Sequence, residues 1–505
     1  MLDLAALGSA FVSVFTSPLT LFFILLGTVM GLVFGSLPGL TATMGVALLI
    51  PLTYAMDTAT AMGVMLGCYI GGMAGGAISA CLLNIPGTPS AVCTSFDGYP
   101  MTLQGKGAQA LGWAAWGSGF GTLVGWVVLV LVSGVLARFC LAFSSHEYFA
   151  LALFGLTIIA AVSGNSVWKG LIAGLFGLVL SMFGVDPVVG APRFTFNNVN
   201  LMAGINTIPA LIGFFSIPQI LKACTDKPKK FDVKIRTRDF VPSLKELWEH
   251  KATIFRSSII GVIIGMIPAT GGNIAAFISY DQTKRFSKDR ANLGKGSVEG
   301  VIASEAANNG VAGGALVPML TLGIPGDSIT AVMLGGLMLH GVTPGPKIFV
   351  EHADVVYSIF VCVLLATIMM VAVQCVGIRG FVQVLRVSPS YLSPILAVLS
   401  LIGAYALRKS FFDVIVALIL GIVGYLMTKA EFPMAPAVLG LVLGSIFEGE
   451  FRRAMSVTRG DWTSFFTRPV SCVIIVITLI VLLVNIYNNI RDRKRGKQRE
   501  GEAMD

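Results

Sequence analysis

Polar side chains gather beside four proline-centred breaks in an otherwise apolar chain of 505 residues. The first break, Gly35-Ser-Leu-Pro-Gly-Leu-Thr-Ala-Thr43, holds Pro38, Gly39, Thr41 and Thr43. The second, Leu83-Asn-Ile-Pro-Gly87, holds Asn84, Pro86 and Gly87 and is followed by Thr88 and Ser90. The third, Gly265-Met-Ile-Pro-Ala-Thr-Gly-Gly-Asn273, contains Thr270, Gly271, Gly272 and Asn273. The fourth, Leu322-Gly-Ile-Pro-Gly326, follows Thr321, contains Pro325 and Gly326, and leads into Asp327 and Ser328. A break of this kind exposes a half-helix N-terminus, whose free amides and dipole suit a carboxylate, while the freed carbonyls suit sodium. Each of these hydroxyls, amides and carboxylates, taken alone, is also accounted for by capping its own helix or bonding its own backbone.

Glu305 stands apart within Ser304-Glu-Ala-Ala-Asn-Asn309. A helix starting near Val298 carries it about 10 Å inward. A carboxylate inside a bilayer costs roughly 2.5 to 3.5 kcal/mol or more unless it is paired or hydrated. With Asn308 and Asn309 one turn on, and with Thr321 further along, it forms a candidate ion-coupling site for Na+ or H+. A structural hydrogen bond to the neighbouring break is the alternative.

Other chemistries find little support. The glycine runs Gly71–Gly76 and Gly117–Gly121 and the Gly294-Lys-Gly-Ser segment do not fit a phosphate-binding loop. The four histidines, His146, His250, His340 and His352, lack metal-ligand spacing, and neither HExxH nor GxSxG occurs. Eight scattered cysteines form no CxxC pair and read as small buried hydrophobes. The chain is thus expected to be neither an enzyme nor a cofactor or metal protein, and no nucleic-acid partner is expected despite the net charge of +9.

The elements that must hold these breaks are apolar helices. The composition is 55% hydrophobic and 12% charged, about half the charge of a soluble domain, and the mean hydropathy is +0.83. Runs of membrane-spanning length recur, as in Ala108–Ala137, Tyr148–Val162, Val355–Val376 and Val470–Ile490. The N-terminus has no basic region of a signal peptide, so the first segment is expected to persist. No Lys or Arg precedes Lys106, whereas Lys222 to Lys251 is dense in both and the tail after Ile490 is basic. The positive-inside rule then predicts a cytoplasmic C-terminus and a periplasmic N-terminus, in contact with membrane lipid between.

The breaks repeat. Ala74-Gly-Gly-Ala77 precedes the second and Ala312-Gly-Gly-Ala315 the fourth, so two breaks occur per half in the same order. Phe255 to Met266 rises only about 18 Å as a helix, short of a hydrocarbon core of roughly 30 Å. That segment must turn near Pro268 and return to the charged stretch from Asp281 to Lys295. The matching piece, Leu21 to Tyr54, has no basic flank and dips from the other side. The expected fold is an all-α polytopic membrane protein: an inverted-topology repeat with two re-entrant, broken-helix hairpins and about 11 to 12 transmembrane helices. The expected division is a first membrane repeat over 1–221, a cytoplasmic basic linker over 222–253 and a second repeat over 254–447. A loop and C-terminal transmembrane helix over 448–490 and a basic tail over 491–505 complete it.

The stretch from Gly265 to Pro346, with IPATGGNIAAFISY, GSVEGVIASEAANNG and LVPMLTLGIPGDSITAVMLGGLMLHGVTPGP, resembles the large membrane subunit of the tripartite tricarboxylate transporters, the TctA family. GSLPGLTATMGVALLIPLTY and NIPGTPSAV are similar to that family's first-half motifs, so the resemblance spans essentially the whole chain. It implies a large permease in the bacterial inner membrane that takes up carboxylates, driven by an ion gradient. Its implied partners are a small membrane subunit (TctB-like) and a periplasmic substrate-binding protein (TctC-like). Carried over by motif, the candidate positions are Pro38-Gly39, Asn84 to Thr88, Gly271 to Asn273 and Pro325 to Asp327. Tricarboxylates, dicarboxylates and aromatic acids all remain open as substrates. A stand-alone secondary carrier or channel for organic anions is the alternative, and a membrane-embedded enzyme or scaffold a more distant one.

Overall fold

The structure, a computed structural model, describes residues 3–37, 39–162, 166–186, 190–225, 240–268, 270–287, 289–384, 389–406 and 408–502. Pro38 and the basic run Lys227 to Arg238 lie outside the described residues.

Helices follow one another with short, chemically marked joints. Between α1 (Leu4–Thr16) and α2 (Pro18–Ser36), the Ser17 side chain accepts from the Thr20 N–H and proline opens the next helix. Thr41 caps α3 (Ala42–Thr53) and Asp57 caps α4 (Thr58–Leu83). A 3₁₀ turn (Pro89–Ala91) leads into α5 (Val92–Leu103), and α6 (Gly107–Cys140) follows. Next come α7 (Ser145–Val162), α8 (Val167–Ser181) and a small hairpin of β1 (Gly184–Val185) with β2 (Pro192–Arg193). After it run α9 (Val199–Met202), α10 (Thr207–Phe215) and α11 (Ile217–Thr225). The second half holds α12 (Leu244–Glu249), α13 (Lys251–Met266), α14 (Gly271–Phe286), α15 (Val298–Leu322), α16 (Ser328–Leu339), α17 (Ile348–Glu351) and α18 (Ala353–Val384). The chain closes with α19 (Pro389–Ala406), α20 (Phe411–Lys429), α21 (Met434–Val457), α22 (Ser464–Thr467) and α23 (Pro469–Glu502).

Among the described residues, seven helices are long and apolar enough to cross a membrane: α2, α4, α6, α18, α20, α21 and α23. The chain is an all-α, multi-pass membrane protein. Fewer long spans appear than the expected number because α3, α8, α16 and the α10–α11 stretch are short apolar pieces. Helix α15 has the length, but its polar Ser304–Asn309 segment dilutes its hydropathy. The boundaries expected at 221/222, 253/254 and 447/448 fall inside α11, α13 and α21. Lys222 lies in the last turn of α11 and Lys251 opens α13, so these charges stand within a few residues of helix ends, whereas Arg452 lies within α21.

Helices α4 and α15 form the centre. Every residue from Thr60 to Leu82 and from Gly300 to Thr321 is buried, which places protein on all sides of both. Close approach explains the glycines around them. A Cβ at Gly27, Gly31 or Gly35 of α2 would fall 2.1 to 2.3 Å from the carbonyls of Val64, Cys68 and Gly72 on α4. On α13, a Cβ at Gly261 or Gly265 would meet the carbonyls of Ala307 and Val311 on α15 at 2.1 and 2.6 Å.

These contacts also give direction. Helix α2 runs parallel to α4, and α13 parallel to α15. Helix α6 is parallel to α15 through Gly121 against Ala306 and Gly125 against Gly313. It is antiparallel to α18, since Gly119 meets Val371 while the Trp126 indole donates to the Phe360 carbonyl at 2.8 Å. Cys362 of α18 lies beside Gly63 of α4. The α2–α3 hairpin therefore enters at the end of the bundle where α6 finishes, and the α13–α14 hairpin at the end where α6 begins.

A buried carboxylate fastens the two halves. Oδ1 of Asp97 on α5 accepts from the backbone N–H groups of Gly294, Gly296 and Ser297 at 2.8, 2.9 and 2.7 Å. Its Oδ2 accepts from the Tyr280 hydroxyl of α14 at 2.7 Å. A second group of helices, with α8 against α21 and α10 against α20, packs through Gly177 on Ala437 and Gly213 on Ala417.

Candidate functional site

The residues after each break start a new half-helix, and the four starts converge. Thr43 Oγ1 at the beginning of α3 lies 3.2 Å from Ser328 Oγ at the beginning of α16. These two helices run side by side in one direction, to the contact of Thr53 Oγ1 with His340 Nε2 at 3.2 Å. The 3₁₀ turn before α5 and the start of α14 form the corresponding pair, with Phe96 against Phe277 and Tyr280 further along.

The four N-termini differ in who occupies them. Thr41 Oγ1 accepts from the Met44 N–H at 3.1 Å and so caps α3. Asp327 caps α16 in a reciprocal box: Oδ1 accepts from the Thr330 N–H at 2.7 Å, and the Asp327 N–H donates to Thr330 Oγ1 at 3.0 Å. Its Oδ2 accepts from the Tyr69 hydroxyl at 2.6 Å. By contrast, no side chain caps α14 or the 3₁₀ turn. Thr270 turns its hydroxyl back to the Ile264 and Ile267 carbonyls, and Thr88 Oγ1 pairs with Ser90 Oγ at 3.1 Å. Two starts are thus served by their own side chains, and two present first-turn backbone without one.

All four border one cavity of about 450 Å³. Thr41 to Thr43, Thr88 to Ser90, Thr270, Gly271 to Asn273 and Asp327 to Ile329 line it, with Met73 of α4. The facing wall comes from the second helix group: Phe214, Phe215, Pro218 and Gln219, then Thr428, Phe432, Met434, Ala435 and Leu439. Among the described lining residues, Asp327 is the one charged side chain. The positive ends of four helix dipoles supply the opposing potential.

The structure thus brings Thr41, Thr43, Thr88, Gly271, Gly272, Asn273, Asp327 and Ser328 to a common surface. Pro38 lies outside the described residues. Gly39 is exposed in the turn before α3 with φ of +92°. Asn84 takes the left-handed conformation at the C-cap of α4 (φ 55°) and is exposed, as Gly323 does for α15 (φ 69°). Pro86, Gly87, Pro325 and Gly326 stand behind the lining. A Cβ on Gly87 would lie 2.0 Å from the Gly35 carbonyl oxygen, and one on Gly326 2.5 Å from that of Gly265. Each turn is pressed onto the tip of its own half's hairpin.

Glu305 lies deeper. It is fully buried and accepts from Thr94 Oγ1 of α5 and from Ser118 Oγ of α6 at 3.0 Å. Asn309 Nδ2 donates to the same Ser118 Oγ at 2.8 Å. Asn308 connects this cluster to the cavity: its Nδ2 donates to the Met73 carbonyl at 3.2 Å, and its Oδ1 sits under Gly272, where a Cβ would be 2.2 Å away. Oδ1 of Asn308 and of Asn309 have no hydrogen-bond partner although both are buried. Thr321 donates to the Val317 carbonyl of its own helix at 2.7 Å.

Sequence reasoning missed Tyr69, Met73, Thr94, Ser118 and the whole apolar wall. Prolines were the available signal for that wall, since Pro218 lies in the first turn of α11 and Pro433 immediately precedes α21.

A model described as the tripartite tricarboxylate transporter TctA family matches residues 21–439. Two proteins of Agrobacterium vitis are similar. The "Uncharacterized 52.8 kDa protein in TAR-I ttuC' 3'region" is 32% identical over 452 residues, 90% of each chain. The "Uncharacterized protein in TAR-II ttuC' 3'region" is 32% identical over 234 residues, 46% of this chain and 97% of that one. No solved structure matches.

Proposed function

The chain belongs to the tripartite tricarboxylate transporter TctA family, and from that premise we propose that it is the large permease subunit of an ion-gradient-driven carboxylate uptake system. The observation that carries the reading is the convergence of four half-helix N-termini on one cavity between the two helix groups. Broken helices that meet in this way serve secondary transporters as sites for anionic groups.

The two halves act as an inverted-topology repeat. Supporting this are the equal order of elements, the matched contacts of Gly87 on Gly35 and Gly326 on Gly265, and the entry of the two hairpins from opposite ends. Substrate binds between the helix ends, and the coupling ion, Na+ or H+, binds at Glu305, Asn308 and Asn309. The unpartnered oxygens of both asparagines and the hydroxyl-lined carboxylate favour that location. The protein sits in the inner membrane with its C-terminus in the cytoplasm, and it receives substrate from a periplasmic binding protein while paired with a small membrane subunit.

The test is reconstitution into liposomes with those two partners, taken from the neighbouring genes. Uptake of a labelled carboxylate should require the binding protein and an imposed ion gradient, and should collapse with an ionophore. Equal uptake without the binding protein would replace this reading by that of a stand-alone carrier or channel.

A further inference from the structure

We infer that Lys169 is a positioning residue for the cavity: from the first turn of α8 it fixes the joint between α20 and α21 and so sets where Phe432 stands on the apolar wall. This rests on the reading of the cavity as the substrate site and names the residue that shapes it from outside.

The joint, residues 430–433, ends α20 in a Schellman turn. The Phe432 N–H donates to the Met427 carbonyl at 2.8 Å and the Glu431 N–H to that of Thr428 at 3.0 Å. Glycine usually fills the left-handed position of such a turn; here it is Glu431, at φ 60°. A Cβ is disfavoured in that conformation, so the turn by itself holds its geometry weakly. Pro433 then leads into α21 with no side-chain cap.

Lys169 touches the joint at three points. Its Nζ donates to the Ala430 carbonyl at 2.8 Å, lies 3.5 Å from Glu431 Oε2 and stands 5.6 Å from the centre of the Phe432 ring. The Ala430 carbonyl belongs to the end of α20, where the helix leaves acceptors unpaired and its dipole favours a cation. The pair with Glu431 is exposed and adds little. The carbonyl bond and the ring contact are what tie the joint to α8.

Beyond the joint the two helices are locked side by side. They run parallel: a Cβ on Gly177 would lie 1.8 Å from the Ala437 carbonyl oxygen, and one on Gly444 2.0 Å from Ser181 Oγ. Lys169 extends that seam back to the turn. Thr428 before the turn, Phe432 in it, and Met434 and Ala435 after it all line the cavity, so a shift of the turn moves this part of the wall.

The experiment measures how fast a cysteine introduced on the wall, Ala435→Cys, reacts with the methanethiosulfonate reagent MTSET in the full chain in lipid nanodiscs. The parent chain is the blank for its native cysteines. Ser90→Cys, across the cavity and away from the joint that Lys169 holds, is the reference. Lys169→Met keeps the length of the side chain and removes its charge and donors; Lys169→Gln also shortens it. With either, Ala435→Cys should react at least about fivefold faster while Ser90→Cys keeps its rate. Lys169→Arg, which can donate to the same carbonyl and stack on the ring, should restore most of the slow rate. A rate at Ala435→Cys that neither variant moves, a rise shared equally by Ser90→Cys, or a failure of arginine to restore the rate would each overturn the inference. No substrate enters these rates, so uptake by the liposome assembly, measured separately, decides the wider reading.

Discussion

Tyr69 donates its hydroxyl hydrogen to Asp327 Oδ2 at 2.6 Å, joining the middle of α4 to the first turn of α16 across 258 residues of sequence. The bond holds a carboxylate that also caps its own helix. Tyr69→Phe removes the donor and keeps the ring. A hydrogen bond to a charged group contributes about 1.5 to 3 kcal/mol, so the variant should unfold at lower temperature and lose uptake, both measurable on purified protein and in liposomes. An unchanged melting temperature with wild-type uptake would mean that the cavity edge does not depend on this bond.

Gly87→Ala and Gly326→Ala should behave alike, since each would drive a methyl into the carbonyl of the hairpin tip behind it, at Gly35 and Gly265. Overpacking of this sort costs about 1 to 3 kcal/mol or more. Gly134→Ala is the matched control because nothing lies within 4 Å of its added Cβ. Thermal unfolding of the three variants should separate the first two from the third.

Glu305→Gln preserves size but puts an amide where Thr94 and Ser118 both donate. Expression should persist, and uptake should lose its dependence on the ion gradient or disappear. Gradient-driven uptake at the wild-type rate would leave the carboxylate a purely structural role.

Asp97→Asn replaces an acceptor of four hydrogen bonds by a group that can accept at one oxygen alone. At about 1 to 3 kcal/mol for each unmet buried group, the loss should appear as a lower melting temperature and as faster proteolysis of the segment 289–297. Tyr280→Phe, which removes one donor of the four, should cost less.

The positions where the chain breaks were legible in the sequence because proline and glycine act locally, and the threonines, asparagine and aspartate after them did come to the cavity. Asn84 did not. Its amide type fitted a ligand as well as a left-handed cap, and only the backbone angle distinguishes the two. The Glu305 helix was readable from Val298 onward, but its partners Thr94 and Ser118 come from helices about 200 residues away, a pairing that no local pattern encodes. The apolar wall was invisible for a related reason. Phe214 in the short apolar α10, or Phe432 in the joint before α21, has the same appearance in sequence whether it faces lipid, a helix or a cavity.

Four helix starts of the same sign meet at one cavity, two of them capped by Thr41 and by the Asp327 carboxylate. Like poles held together repel, and the glycine contacts and the four hydrogen bonds of Asp97 hold the elements that carry them in place. On the proposed function, an anion bound there is their counterion. Occupancy and cohesion then become one quantity, and the cargo is, for the time it stays, a part of what holds the carrier together.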